Sequence, residues 1–340
     1  MRSIIVSVAA LQLLAAWAKV ATADENVIIT PVENWSCLFG DCEVTLHFQV
    51  AGNKTESDGA EGRLQWHYSA NQRTLARGEI EINRNDSGIA KVALRIPQVR
   101  DGLIFRTDLA LAYVPRGANG EATTLTRTLW LFPEDPFVDQ RETLKERRLS
   151  LFDPEGSTAD LFKKIELPHR RIRNAADLDD RGEHSYVIVG EGTSLIRNRG
   201  LAERLLSFAA AGGTVLMLAL SEGVIPMPGA ASQNGELSDA QPGELRFCQH
   251  QVIHEFDKRL DARFLPGTDD FAGSKVSLRT RLSRVEMEVS EDGDWPWLTI
   301  AYPETNGRFV FCGFGLVKHW QNGPTPRYLL SRILESPAKP

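Results

Sequence analysis

A strand-helix-strand pattern across residues 184–220 constrains the fold of this chain most strongly. Residues 186–189 and 214–220 are apolar runs bounded by glycine. Between them Leu201, Leu205 and Phe208 recur at helical spacing, and two glycines follow. Strands that are apolar on both faces are typical of a parallel sheet covered by helices. The pattern therefore predicts an open α/β domain whose site lies at the carboxyl ends of the strands.

Sequence patterns also predict a division into two domains. Residues 24–133 contain short strands of alternating polarity separated by turn-rich segments, which is typical of an antiparallel, immunoglobulin-like β-sandwich. Residues 134–148 are highly charged, have Pro133 and Pro136 at their start, and are predicted to link the domains. The α/β domain, an open and mostly parallel sheet, is expected over residues 149–336, with a loop-rich insertion at about 222–273.

The amino terminus has the pattern of an export signal. Arg2 precedes an apolar run at residues 4–18, and Ala21-Thr22-Ala23 precedes Asp24. Cleavage after Ala23 places the protein in the periplasm or outside the cell and leaves no stable membrane span; a retained leader acting as an anchor is the alternative. The 340-residue chain has a formal charge of −6. Removing Arg2 and Lys19 leaves 37 basic and 45 acidic residues, or −8, which argues against a nucleic-acid partner.

All four cysteines follow the leader, in a compartment that permits disulfides. Cys37 and Cys42 flank four residues and are predicted to close a small disulfide loop. Cys248 and Cys312 pair only if the fold brings them together, and a buried free thiol is an equally good interpretation of Cys312.

Residues 149–336 resemble the class I glutamine amidotransferase-like (flavodoxin-like) domain. The resemblance lies in LSLFDPEGST, SYVIVGEGTSL, LAERLLSFAAAGGTVLML and GRFVFCGFGL. It is strongest to the non-catalytic version found in bacterial glycoside hydrolases as the β-galactosidase trimerisation domain. The resemblance implies a non-catalytic module, with an immunoglobulin-like domain as a usual neighbour.

Departures from the catalytic family members support the loss of hydrolytic chemistry. Amidotransferases place a nucleophilic cysteine on a G-x-C-x-G elbow, whereas this chain has Leu220 at the central position, followed by Ser221. The His-x-Glu pair of the amidotransferase triad is missing, and no G-x-S-x-G elbow is present. No cofactor is expected, because nothing matches a phosphate-binding loop.

Polar residues follow several predicted strands and converge on one expected sheet edge. An enzyme would use them as acid, base or nucleophile, whereas the alternative is that they cap helices and shape turns. The candidate catalytic residues are Asp153, Glu155, Glu191, Ser221 and Glu222. The candidate ligand-crevice residues are Gly156, Ser157, Gly192, Thr193, His319 and Trp320.

Two histidines four residues apart, His250 and His254, share one face if the segment is helical. That spacing suits zinc, but no third ligand is identifiable, and a solvated amphipathic segment is the favoured interpretation.

Three functions are consistent with these patterns. The leading hypothesis is an exported, non-catalytic module for binding or assembly, whose candidate partners are a glycan, an envelope protein or a second copy of the chain. The alternatives are a hydrolase that uses the crevice carboxylates, with or without a metal, and a membrane-tethered interaction protein.

Overall fold

The structure is a computed structural model. The described residues are 27–52, 61–83, 88–116, 122–179, 186–226, 242–261, 273–274, 278–279, 286–287 and 295–335. Within them, 43% of residues lie in strands and 19% in helices.

Contacts divide the chain into two units. The first takes its described residues from Met1–Val32, Glu43–Leu94 and Thr107–Thr128. The second takes them from Glu33–Cys42, Arg95–Arg106 and Leu129–Pro340, so the chain passes between the units several times.

Eight strands occupy the amino-terminal part of the described chain. They are β1 (Val27–Pro31), β2 (Cys37–Phe39), β3 (Glu43–Gly52), β4 (Gly62–Ala70), β5 (Arg73–Ile82), β6 (Ile89–Arg95), β7 (Phe105–Pro115) and β8 (Thr123–Phe132). One sheet has the order β1-β3-β6, and another has the order β2-β8-β7-β4-β5. In β6 exposed and buried residues alternate strictly, because one face of the strand meets the core. The strands expected in this region are present, while the immunoglobulin-like sandwich itself stays a prediction.

The remaining elements belong to the second unit. Its strands are β9 (Leu149–Phe152), β10 (Arg170–Ile172), β11 (Tyr186–Val189), β12 (Thr214–Met217), β13 (Ile225–Pro226), β14 (Glu244–Cys248), β15 (Leu278–Arg279), β16 (Glu286–Met287), β17 (Trp297–Tyr302) and β18 (Gly307–Cys312). Its helices are α1 (Arg141–Glu146), α2 (Ser157–Lys164), α3 (Leu201–Ala210), α4 (Gln251–Phe256) and α5 (Pro324–Glu335), with a 3-10 helix at Ala175–Asp179.

The main sheet of the second unit has seven strands in the order β10-β9-β11-β12-β18-β17-β14. Five neighbouring strands, β10, β9, β11, β12 and β18, pair in parallel. β17 pairs antiparallel with both β18 and β14. Every residue of β11 is buried, as expected for a strand with packing on both faces. The hairpin predicted near the carboxyl terminus is confirmed as β17–β18.

The predicted fold class is wrong. The described chain is mostly β with several sheets, and the second unit contains a mixed sheet with few helices rather than a helical α/β domain. The physical reason lies between β12 and β18, where the chain returns through short strands and the antiparallel strands β14 and β17. The pattern at residues 184–220 predicts its own strands and helix correctly, but it carries no information about that return.

The expected linker contributes to a core. Within residues 134–148, Phe137 and Leu144 are each 1% exposed and join the hydrophobic cluster beneath α5. Of the expected insertion at about 222–273, residues 227–241 and 262–272 lie outside the described residues, and the rest contains β13, β14 and α4.

The predicted disulfide between Cys37 and Cys42 is absent, because both residues are free thiols. The Cys37 Sγ lies 3.5 Å from the Thr325 Oγ1, whereas the Cys42 thiol donates to the Phe39 carbonyl oxygen at 3.2 Å. Trp297 on β17 pairs with Cys248 on β14 at one side and with Cys312 on β18 at the other. The two cysteines are therefore two strand spacings apart, about 10 Å. A disulfide does not span that distance.

The predicted leader, with its cleavage site, lies outside the described residues. Among the residues that are described, no helix is both long enough and apolar enough to cross a membrane.

Candidate functional site

The parallel strands of the second unit bring the predicted polar residues to one edge of the sheet. Asp153 follows β9, Glu191 follows β11, and Ser221 and Glu222 follow β12. Neighbouring parallel strands end on the same side, so these residues share the carboxyl edge. We refer to the segments Asp153–Ser157, Gly190–Ser194 and Leu220–Glu222 as the strand-end edge.

Asp153 acts as a helix cap at this edge. Its side chain is buried, and its Oδ2 accepts a hydrogen bond from the Ala159 N–H at 2.8 Å, in the first turn of α2. This bond satisfies one of the amides that a helix start leaves open. Its Oδ1 is buried without a hydrogen-bond partner and packs against Gly190.

Glu191 holds the turn that follows β18. Its Oε2 accepts the Val317 N–H at 2.7 Å, and its Oε1 accepts the Lys318 N–H at 3.0 Å. Burial raises the pKa of Glu191, and the two amide hydrogen bonds oppose that rise only in part. Both carboxylate oxygens are therefore used in joining two loops.

Ser194 and Glu222 link the next pair of loops. The buried Ser194 hydroxyl donates to the Glu222 Oε1 at 2.6 Å, and the two residues also form a parallel β-bridge. Arg197 lies 4.0 Å from Glu222 and 3.9 Å from Glu155, both measured from guanidinium nitrogen to carboxylate oxygen. These ion pairs are exposed, so water screens them strongly.

Ser221 is exposed, and in the described part of the chain no hydrogen bond joins its hydroxyl to a histidine. The carboxylate of the next residue, Glu222, accepts from Ser194 instead. Leu220 is buried, and its N–H donates to the Ser274 hydroxyl at 2.9 Å. The arrangement lacks the base that a serine nucleophile needs.

The predicted crevice residues are drawn into the same network. The Ser157 hydroxyl donates to the Glu191 carbonyl oxygen at 3.4 Å, and the buried Thr193 hydroxyl donates to that of Gly190 at 2.7 Å. Gly156 and Gly192 adopt positive φ angles of 86° and 87°, which suits glycine in tight turns. The loops are thus joined to one another by their own polar groups.

His319 and Trp320 are buried rather than facing an open crevice. The His319 Nδ1 lies 3.0 Å from the Asn322 Nδ2, and the Trp320 ring stacks on Phe137 with centroids 6.5 Å apart. The Arg327 guanidinium lies 5.7 Å from the Trp320 ring. Trp320 belongs to the hydrophobic cluster that includes residues of α5.

The two predicted zinc histidines have different surroundings, since His250 is the N-cap of α4 and His254 lies within α4. The His250 ring packs on Phe314 at 5.7 Å between centroids, whereas His254 lies at the rim of a surface cavity. In the described ranges, no group of three His, Cys, Asp or Glu residues is placed to hold a metal ion.

Sequence reasoning missed an ion-pair cluster around Asp257. Arg259 binds the Asp257 carboxylate with two hydrogen bonds of 2.8 Å and 2.6 Å, and Arg332 approaches to 3.6 Å. Burial acts to raise the pKa of Asp257, but the Arg259 contacts outweigh burial and lower it. The cluster borders a cavity of about 470 Å³. No sequence signal joins Asp257 to Arg332.

A second missed feature is a cavity of about 350 Å³ at the ends of β9 and β10. Its lining residues are Phe152, Asp153, Pro154, Arg171, Ile172 and Arg173. The run of basic residues at 163–173 was the available sequence signal.

Comparisons with known proteins do not identify the chain. No family model matches it, and no curated protein matches it. Among solved structures, it is similar to superoxide reductase (neelaredoxin) from Ignicoccus hospitalis with a TM-score of 0.22 and 7% identity, over 32% of this chain and 81% of that one.

Two carbohydrate-active enzymes give similar values. A Paenibacillus sp. cycloisomaltooligosaccharide glucanotransferase has a TM-score of 0.23 and 12% identity, over 56% of this chain and 27% of that one. Parabacteroides merdae β-glucuronidase has a TM-score of 0.24 and 12% identity, over 62% of this chain and 26% of that one. Likenesses this weak establish neither fold nor function, and the amidotransferase-like resemblance stays a prediction.

Proposed function

We propose that this chain is an exported, non-catalytic module that serves in binding or assembly at the cell envelope or outside the cell. One observation carries the proposal: the Glu191 carboxylate accepts two backbone hydrogen bonds and so joins two loops. The leader-like amino terminus supports the exported location.

The requirements of general acid-base catalysis argue against a catalytic role for Asp153 and Glu191, which supports the non-catalytic proposal. A catalytic carboxylate must exchange a proton with the substrate within hydrogen-bonding reach. Asp153 is 2% exposed and caps α2, while Glu191 has a raised pKa but no oxygen without a backbone donor. Proton transfer at Glu191 would break the bonds that hold residues 317–318.

The partner class comes from the sequence resemblance. A glycan, a glycoside-processing protein or an envelope protein is the proposed partner, and a second copy of the chain is a further candidate. A glycan array and light scattering on the purified protein test the binding and assembly functions. A monomer that binds no glycan and no envelope protein would remove the support for this proposal.

A hydrolase is the second candidate, and one observation favours it. Glu155 and Glu222 converge on Arg197 within 4.0 Å, which brings two carboxylates close together at the strand-end edge. Paired carboxylates at short separation are the machinery of glycosidases.

Activity on chromogenic glycosides separates the two candidates. The proposed module predicts no turnover above buffer. If turnover is found and E155Q or E222Q abolishes it, while E203Q at an exposed position on α3 leaves it unchanged, the hydrolase is correct and the non-catalytic proposal is wrong.

A further inference from the structure

The cavity at the ends of β9 and β10 has the features of a small-ligand site. Its volume of about 350 Å³ lies at the lower end of the range for small-molecule clefts. Phe152, Pro154 and Ile172 supply an apolar wall, and Arg171 and Arg173 supply charge. It lies at the carboxyl ends of parallel strands, where open sheets bind ligands.

The two arginines are arranged to act together. Arg171 lies on β10 and Arg173 directly follows its last residue; both are exposed and line the cavity, whereas Ile172 between them is buried. β10 is the edge strand of the sheet, so one flank of the site has no strand beside it in the described sheet.

Neither arginine has a partner among the described residues. Arg171 and Arg173 are exposed, and no ion pair or hydrogen bond of their side chains is found in the described part of the chain. Arg259, by contrast, has both carboxylate oxygens of Asp257 as acceptors. The guanidinium donors beside the cavity are therefore available to a ligand.

The surrounding charge favours an anion. The lining holds two arginines and one aspartate, two minus one, or +1, in a chain whose net charge is −6. The Asp153 side chain is 2% exposed, with its Oδ2 bonded to Ala159 and its Oδ1 enclosed against Gly190, whereas both arginines are exposed. A positive, partly enclosed surface concentrates anions.

We propose that this cavity binds the oxyanion, a carboxylate or a phosphate, of a small molecule. Two neighbouring guanidinium groups offer planar forks of N–H donors, which match the oxygens of both anions. The inference deepens the proposed function, on which it rests, because it names a ligand class and a place for binding.

Calorimetric titration of the purified protein tests the inference. The probes are glucuronate for a carboxylate, inorganic phosphate for a phosphate, and glucose as the neutral control. We expect at least one anion to bind at millimolar concentration or tighter and glucose not to bind. The double variant R171A/R173A should weaken that affinity by about tenfold or more, since two charge-assisted bonds are lost.

R170A is the matched control, because Arg170 is an exposed arginine of the same strand that does not line the cavity. It should bind the anion like the unmodified protein. R171K/R173K keeps the charge and removes the forks, so glucuronate binding should fall several-fold, and phosphate binding should fall less.

Different results would contradict the anion site and the proposed function. Failure of both anions to bind, equal binding by R171A/R173A, or equal loss in R170A overturns the anion site. Glycan binding by a protein that binds neither anion would keep the proposed function and reject this site. Glycoside turnover with anion binding at Arg171 and Arg173 would keep the site and reject the non-catalytic function.

Discussion

The strand-end edge and the Asp257 cluster each hold a carboxylate with hydrogen bonds, partly buried in the first and buried in the second, but they stabilise it differently. Glu191 is held by two neutral backbone amides, and its pKa is raised. Asp257 is held by Arg259 with Arg332 nearby, and its pKa is lowered. Amides orient a carboxylate without neutralising it, whereas guanidinium groups do both. The comparison predicts that the two regions respond oppositely to pH and unequally to mutation.

Removing the Asp257 carboxylate should have the largest effect. D257A leaves Arg259 and Arg332 without their shared acceptor, so the free energy of unfolding should fall by about 3 kcal/mol. Urea denaturation measures it. D160A, at an exposed position on α2, should change stability by less than about 0.5 kcal/mol. A loss in D257A no larger than in D160A would remove the distinction between the regions.

Disturbing the close packing at the strand-end edge should cause the next largest loss of stability. A Cβ at Gly190 would lie 2.4 Å from the Asp153 Oδ1 and 2.6 Å from its Cγ. G190A should therefore cost about 2 kcal/mol in thermal or urea unfolding. G156A is the control, because nothing lies within 4 Å of a Cβ there and only the positive φ opposes the change, at about 1 kcal/mol. Equal losses would contradict tight packing of Asp153 on Gly190.

Removing the Glu191 carboxylate should cost less than removing that of Asp257. E191A leaves the Val317 and Lys318 amides without their acceptor, but it also relieves the desolvation of a buried charge. We expect a loss of about 1 kcal/mol, and less than half of that for the exposed control E203A. Faster hydrogen exchange at the two amides would localise the loss. A loss in E191A equal to that in D257A would contradict the comparison.

The pH dependence of stability should differ in sign between Glu191 and Asp257. It should be the smallest of the predicted effects. The pKa of Glu191 is raised on folding, so its contribution to stability is present below its unfolded pKa and is lost as pH rises through its folded pKa. The pKa of Asp257 is lowered, so its contribution is present above its unfolded pKa and is lost as pH falls through its folded pKa.

Urea unfolding in acidic buffers of stepped pH measures both dependences. Relative to E191Q, the unmodified protein should lose stability as pH rises above the ordinary glutamate range. Relative to D257N, it should lose stability as pH falls below the ordinary aspartate range. Two differences of the same sign would show that the surroundings of these carboxylates do not differ as described.

Local patterns made some of the molecule predictable. The apolar runs at β11 and β12 and the helical spacing of Leu201, Leu205 and Phe208 are set by neighbouring residues, and these elements form where expected. The edge position of Asp153 and Glu191 follows from the same strands. Their partners, such as the amides of Val317 and Lys318, lie more than a hundred residues away and leave no local signal.

The incorrect predictions have the same physical cause, which is contacts between residues far apart in the sequence. The mixed sheet depends on β14 pairing with β17, about fifty residues further along the chain. The expected Cys37–Cys42 disulfide rested on spacing alone. In the structure Cys37 instead meets Thr325, 288 residues away.

The Asp261 carboxylate accepts the N–H groups of Ser36 and Cys37 at 2.6 Å and 2.7 Å and the Ser36 hydroxyl at 2.9 Å, over 224 or 225 residues of chain. A truncation that starts at Leu149 would strip that carboxylate of all three donors and discard the Glu33–Cys42 segment of its own unit. Isolating this unit for crystallisation or display therefore requires that Glu33–Cys42 and Arg95–Arg106 be joined to the segment that begins at Leu129, because no single cut yields the unit whole.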